Sequence, residues 1–131
     1  MVTTYYLNLV AGNLMGTKTS PGIPSNYYIG LSKTTPTAAG GNVSEPSGGG
    51  YARIAMSNMS APSSGVVKNS QEIAFAEATV SWGSITYVVV YDAATGGNLL
   101  MYSALPAAKN ITSGDQARFK TGSLTFTVKA G

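Results

Sequence analysis

Short segments rich in β-branched and aromatic residues, separated by turn residues, recur along the chain and predict β-strands; Gln71–Ala78 also alternates between apolar and other positions. In the run Val80–Asp92, residues Val88–Tyr91 are continuously apolar, which predicts a central strand that is covered on both faces. Pro106 is expected to end the strand that begins at Asn98. The predicted strands are Asn26–Lys33, Tyr51–Asn58, Gln71–Ala78, Val80–Asp92, Asn98–Leu105, Lys109–Thr112, Gln116–Lys120 and Ser123–Lys129, and Val66–Val67 is a short apolar pair after a turn.

One helix is predicted, over residues 2–15, because its apolar side chains recur at helical spacing and Thr3 or Thr4 could cap its start. The pattern places six apolar side chains on one side of it: Val2, Tyr5, Tyr6, Leu9, Val10 and Leu14. A loop with two prolines follows over residues 17–25. The chain therefore divides into an N-terminal helix or anchor segment, 1–16, and one domain, 17–131.

These elements predict an all-β fold. About eight strands joined by short turns, after one short N-terminal helix, build an antiparallel β-sandwich of the jelly-roll or Greek-key type. The length of 131 residues suits a single domain, and 44% apolar residues supply its core.

The composition excludes much catalytic chemistry. The sequence contains no Cys and no His, so it lacks the usual nucleophile–base pairs and the commonest metal ligands. Glu72 and Glu77 lie five residues apart on a strand and so point to opposite faces, which argues against a paired-carboxylate glycan hydrolase. We therefore expect no enzyme activity, no catalytic residues, no cofactor and no dedicated metal site. An accidental ion site made of loop carbonyls stays open.

Charge is sparse. Only 10% of residues are charged, and the net charge of +3 comes from eight basic side chains that are scattered along the sequence. Nucleic-acid binding requires clustered cations, and no stretch approaches the roughly 20 apolar residues of a membrane span. We expect neither a nucleic-acid partner nor membrane insertion.

Aromatic residues are the candidates for contact with a partner. Tyr27, Tyr28 and Tyr51 flank a long Pro/Gly/Ser/Thr-rich loop over residues 34–50, whereas Trp82 lies in the most apolar run and is expected in the core. The three tyrosines are therefore predicted to bind a partner.

Several motifs in their order along the chain resemble a family of small bacteriophage virion proteins labelled tail fibre proteins. The resemblance runs from about Tyr27 to the end. It rests on Tyr28-Ile29-Gly30-Leu31-Ser32, Thr35-Pro36-Thr37, Glu45-Pro46-Ser47-Gly48-Gly49-Gly50-Tyr51-Ala52-Arg53, Glu72-Ile73-Ala74-Phe75-Ala76-Glu77-Ala78, Trp82-Gly83, Tyr91-Asp92-Ala93-Ala94-Thr95-Gly96-Gly97-Asn98-Leu99-Leu100, Ser113-Gly114-Asp115 and Ser123-Leu124-Thr125-Phe126-Thr127-Val128.

The resemblance implies a non-enzymatic structural protein located in the virion. Its partners would be other virion proteins, further copies of itself (a trimer is one option) and a glycan on the host surface. Within the Glu45–Arg53 motif, we expect Arg53 to pair with a carboxylate such as Glu45, or with loop carbonyls, and so to pin the loop. Two locations stay open. The protein is either a module of a tail fibre or tail tip, or a capsid decoration or head-fibre protein anchored by residues 1–16.

Overall fold

A computed structural model describes residues 2–16, 26–56, 59–60, 63 and 66–127. The predicted loop at 17–25 and the last residues of two predicted strands lie outside this set. Over the described residues the chain forms one helix and eight strands: α1 (Thr4–Leu14), β1 (Tyr28–Ser32), β2 (Ile54–Ala55), β3 (Val66–Lys68), β4 (Ile73–Ala74), β5 (Gly83–Tyr91), β6 (Leu99–Ile111), β7 (Arg118–Phe119) and β8 (Thr125–Thr127).

The main sheet has four antiparallel strands in the order β2-β1-β5-β6. Strand β5 is the most apolar and lies between β1 and β6. Val88 and Val90 belong to the principal core on one side of it, while Val89 and Tyr91 belong to a second apolar cluster that also contains Tyr102. The expected central strand with both faces covered is confirmed.

Two antiparallel ribbons, β3-β8 and β4-β7, accompany the main sheet. Their inward residues Ile73, Phe119 and Phe126 join the principal core, together with Phe75 and Trp82. The all-β, antiparallel, sandwich-like fold class is therefore confirmed. Strands β2 and β4 are shorter than predicted, since residues 51–53 before β2 and residues 71–72 and 75–78 around β4 lie outside strands.

Strand β6 departs from the prediction at Pro106. The strand does not end there but continues to Ile111, and the predicted strand Lys109–Thr112 is its second half. Ala104 pairs with Tyr87 and Lys109 with Ile85, so four residues of β6 lie opposite one residue of β5. Pro106 is accommodated in this bulge on an edge strand, where its missing N–H breaks no ladder hydrogen bond.

Helix α1 begins at the N-cap Thr3, whose side-chain oxygen accepts a hydrogen bond from the backbone N–H of Tyr6. Thr3 is fully buried and its hydroxyl lies 2.7 Å from the carbonyl oxygen of Leu99, so the cap also attaches the helix to β6. The prediction of one apolar side is only partly correct. Leu9 is buried, but Val10 and Leu14 are exposed on another face.

Candidate functional site

A partly buried ion pair joins the two charged residues of the Glu45–Arg53 motif. Arg53 donates from Nε to Glu45 Oε1 at 3.0 Å and from Nη2 to Oε2 at 2.8 Å. The side chain of Arg53 is 7% exposed and that of Glu45 is 22% exposed. This bidentate geometry pairs the planar guanidinium with both oxygens of the carboxylate, and a lysine ammonium could not form it.

The remaining donors of Arg53 hold the turn between β5 and β6. Its Nη1 donates to the carbonyl oxygens of Ala93 at 2.8 Å and Gly96 at 2.7 Å. Its Cζ lies 3.6 Å from the centroid of the Tyr91 ring, a cation–π arrangement. One side chain thus connects the long loop, the central strand and the turn that follows it.

Tyr51, which is partly buried and packs against the principal core, completes this cluster. Its hydroxyl donates to Glu45 Oε1 at 2.6 Å and accepts from the backbone N–H of Leu31 at 3.0 Å. Its ring centroid lies 5.3 Å from that of Trp82. The ring and hydroxyl of this predicted partner-binding residue therefore both contact other parts of the same chain.

Gly30 provides the space that this cluster needs. A Cβ atom at this position would lie 2.8 Å from both Glu45 Oε1 and the Tyr51 hydroxyl. Any larger residue at position 30 would therefore collide with the Glu45 carboxylate and the Tyr51 hydroxyl.

The protonation of Glu45 reflects the balance of these contacts. Burial on its own would raise the pKa of Glu45, but hydrogen bonds from Arg53 and Tyr51 and the positive charge of Arg53 outweigh burial and lower it. Burial is also the largest cause that raises the pKa of Tyr51 and the pKa of Tyr91. The stable form is a carboxylate beside a guanidinium and neutral phenols.

Tyr27 and Tyr28 lie at a groove of about 290 Å³ whose other lining residues include Met56 and Met59. Both tyrosines are partly exposed. The Tyr27 hydroxyl lies 2.7 Å from that of Tyr6 in α1, and burial and this hydrogen bond raise the pKa of Tyr27. Two of the three predicted partner-binding residues therefore share one groove, whereas Tyr51 lies inside the cluster formed by Glu45 and Arg53.

A second exposed feature is the outer face of α1, formed by Leu7, Val10, Leu14 and the adjoining Met15. These side chains are 50%, 40%, 81% and 75% exposed, respectively. They lie at i, i+3, i+7 and i+8, on the side of the helix opposite the buried Leu9. The helix thus has two apolar sides, of which only one packs against the domain.

The described residues contain no grouping of three or more acidic side chains that could hold a metal ion. Within the same part of the chain, no helix has the length and hydrophobicity needed to cross a membrane. The prominent arrangements are the Arg53 cluster, the tyrosine groove and the outer face of α1.

Sequence reasoning did not identify Gly30 and Tyr91 as members of the Arg53 cluster. They reach it because Tyr28 pairs with Tyr91, and Gly30 with Val89, in the register of β1 and β5. It also grouped Val10 and Leu14 with the buried helix positions, although the spacing of Leu7, Val10 and Leu14 was a usable signal for a separate face.

A comparison with known protein families identifies the family of this chain. Residues 2–127 match the family described as podophage GP4 fiber I protein gp80. No curated protein sequence is significantly similar to the chain. The match covers the helix as well as the strands, and so nearly the whole chain. The chain belongs to the podophage GP4 fibre I protein family and is a structural component of a phage virion.

Proposed function

We propose that this protein is a module of a tail fibre or tail tip, which acts through contacts with copies of itself and with other virion proteins and not through catalysis. The observation that carries the proposal is the outer face of α1. A single copy leaves Leu14 and Met15 more than 70% exposed on a helix that is already docked to its own domain. Burial of such side chains against a neighbour is favourable at about 25 cal/mol per Å².

The occupant of this face is best explained as a second copy of the same chain. A charged residue close to a two-fold axis lies near its own copy and is repelled by it, so a helix face that packs on itself near such an axis is favoured when it carries no charge. Residues 2–16 contain no charged side chain. Apolar residues at i, i+3 and i+7 also form the seam by which identical helices pack together. Residues 1–16 are therefore proposed as the assembly segment, and 17–131 as the domain that it joins to the fibre.

The tyrosine groove is proposed as the host-contact surface. Tyr27 and Tyr28 present partly exposed rings with polar ends beside Met56 and Met59, a combination suited to an adaptable contact with a surface glycan. Tyr51 takes a different role, since its hydroxyl is bonded to Glu45. In this proposal Arg53 and Glu45 have a structural role, because their hydrogen bonds hold the long loop against the turn between β5 and β6.

The test is the mass of the full chain in solution, measured by sedimentation velocity over a range of concentrations. The wild-type protein is expected to form a discrete oligomer. The triple variant Leu7→Gln, Val10→Gln, Leu14→Gln is expected to sediment as a monomer with an unchanged strand signal in circular dichroism. Val80→Gln is the control: it makes the same Val-to-Gln change as at Val10, at a residue that is 49% exposed but lies outside the helix, so it should leave the oligomer mass unchanged.

Two results would contradict the proposal. One is a wild-type protein that stays monomeric at every concentration. The other is a triple variant that keeps the wild-type mass. If the triple variant keeps its mass but no longer binds to isolated capsids, the segment is a capsid anchor and the protein is a decoration or head-fibre protein instead.

A further inference from the structure

The bulge of β6 forms one wall of a cavity that contains none of the predicted partner-binding residues. Leu105, Pro106 and Ala107 line this wall, and the other lining residues are Lys109, Arg118, Phe119, Lys120 and Ser123. The volume is about 310 Å³, at the lower end of the range for small-ligand pockets. Strand bulges are over-represented beside binding sites because they redirect side chains out of the regular pleat.

Three cations line this cavity, and no acidic residue does: Lys109, Arg118 and Lys120. They are half of the six basic residues among the described positions, in a chain of which only 10% is charged. Arg118 donates to Gln116 Oε1 at 2.6 Å and to Glu72 Oε1 at 3.2 Å, so its guanidinium is held in place. The Lys109 ammonium lies 5.6 Å from the centroid of the Phe119 ring.

The remaining lining residues indicate which chemical groups, besides the negative charge, a bound anion should carry. The wall from the bulge is apolar, and Ser123 adds a hydroxyl that can donate or accept a hydrogen bond. A small inorganic anion would use the cations alone. A sugar ring with one charged substituent would place its C–H face on the bulge, its hydroxyls near Ser123 and its charge among the cations.

We propose that this cavity binds an anionic saccharide, in which a phosphate or carboxylate group is carried on a sugar ring. This inference goes beyond the proposed function, because the cavity shares no lining residue with the tyrosine groove proposed as the host-contact surface. In this proposal the bulge supplies the apolar surface for the sugar ring, and the clustered cations bind its charged group. Exposed lysines bind anions through charge that salt screens, so the affinity should fall as ionic strength rises.

The experiment is a titration of the ¹⁵N-labelled full chain, followed by amide chemical shifts. The probes are glucose 6-phosphate, galacturonate, glucose and inorganic phosphate at equal concentrations. Saturable shifts at residues 105–109 and 118–123 are expected with at least one charged sugar, and not with glucose. A phosphate-only or a carboxylate-only response identifies which anion the cavity prefers.

Two double variants, each of which removes two lysine charges, test whether binding depends on the position of the charge. The pair Lys109→Gln, Lys120→Gln removes two exposed lysines from the cavity, and Lys33→Gln, Lys68→Gln removes two exposed lysines elsewhere. The first pair is expected to weaken binding by about tenfold, whereas the second should change it by less than about twofold.

Any of three results would overturn the inference: glucose or inorganic phosphate shifting these residues as strongly as the charged sugars, equal losses in the two double variants, or no saturable shift. Each of these leaves the sedimentation result for α1 intact. Conversely, a monomeric wild-type protein would contradict the assembly proposal without affecting this titration.

Discussion

Arg53 makes contacts with three separate parts of the chain through one side chain. Its guanidinium bonds Glu45 in the loop and the carbonyls of Ala93 and Gly96 in the turn, and stacks on Tyr91 in β5. Removal of one partner from a buried ion pair leaves the other charge without compensation, which makes such sites sensitive to substitution.

Arg53→Lys is expected to lower the free energy of unfolding by about 2 kcal/mol, because lysine keeps the charge but loses the planar fork and several hydrogen bonds. Arg118→Lys is the matched control. The pair formed by Arg118 and Glu72 is exposed, with side chains 57% and 48% accessible, so its loss should cost less than about 1 kcal/mol. Urea unfolding of both variants measures the difference, and equal costs would contradict the anchoring role of Arg53.

Glu45 should make stability depend on acid pH. Its pKa in the folded protein lies below the ordinary value of 4.5, so its contribution is fully present above pH 4.5 and is lost as the pH falls through the folded pKa. Unfolding free energies measured from pH 7 to pH 3 should therefore fall more steeply for the wild-type protein than for Glu45→Gln. The comparison is needed because hydrogen bonds from Thr112 also lower the pKa of Asp115. Equal slopes for the two proteins would contradict this account of Glu45.

Gly30→Ala is expected to destabilise the protein by about 1–3 kcal/mol, because the added Cβ would crowd Glu45 and the Tyr51 hydroxyl at 2.8 Å. Gly41→Ala serves as the control, since its Cβ would meet only Thr37 Oγ1, at an ordinary 3.5 Å. Thermal unfolding of the two variants measures the difference in stability. A Gly30→Ala protein as stable as Gly41→Ala would contradict the claim that the cluster has no space for a Cβ atom at position 30.

The sequence indicated some of these residue environments and missed others. Trp82 was expected in the core from its place in the most apolar run, and it is buried. The environment of Asn69 could not be foreseen. Its buried amide donates to the carbonyl oxygens of Gln71, Phe119 and Lys120 and accepts from the N–H of Leu124. Contacts of this kind depend on segments about 50 residues apart, which no local pattern encodes.

At the scale of elements, α1 is attached to the sheet mainly through its N-terminus. The Thr3 N–H donates to the carbonyl oxygen of Leu100 at 2.8 Å, and the Thr3 hydroxyl serves both the helix and β6. The N-cap therefore determines where the outer face of α1 is presented.

Thr3→Val is expected to cost about 1–2 kcal/mol, because a methyl group of the same size replaces a buried hydroxyl that caps the helix and bonds the strand. Thr4→Val is the matched control on the exposed neighbouring position. Amide hydrogen exchange should become faster across α1 in Thr3→Val and stay unchanged in Thr4→Val. Unchanged exchange in both variants would contradict attachment of the helix through Thr3.

Strand β6 shows why element boundaries were harder to predict than element types. Pro106 is a sound reason to end a strand, yet pairing with β5 resumes at Lys109 after the bulge. The tertiary partner therefore overrides the local signal. By contrast, β5 was predictable because a strand buried on both faces leaves a continuous apolar run in the sequence.

At the scale of the whole molecule, the chain combines a sparsely charged β-domain with an uncharged helix that has an exposed apolar face. Membership of the podophage GP4 fibre I protein family agrees with a component held in the virion by shape and contact. The family resemblance was visible in the sequence, whereas the spacing of Leu7, Val10 and Leu14 could not show by itself which side of α1 packs on the sheet and which stays exposed.

The most direct test of the central claim is the position of this protein in intact phage particles, determined by electron cryo-microscopy with a label on the C-terminus. We predict label density at the tail, in clusters that match the oligomer mass found in solution, with the α1 helices at the contacts between copies. Density distributed over the capsid surface and absent from the tail would contradict the account.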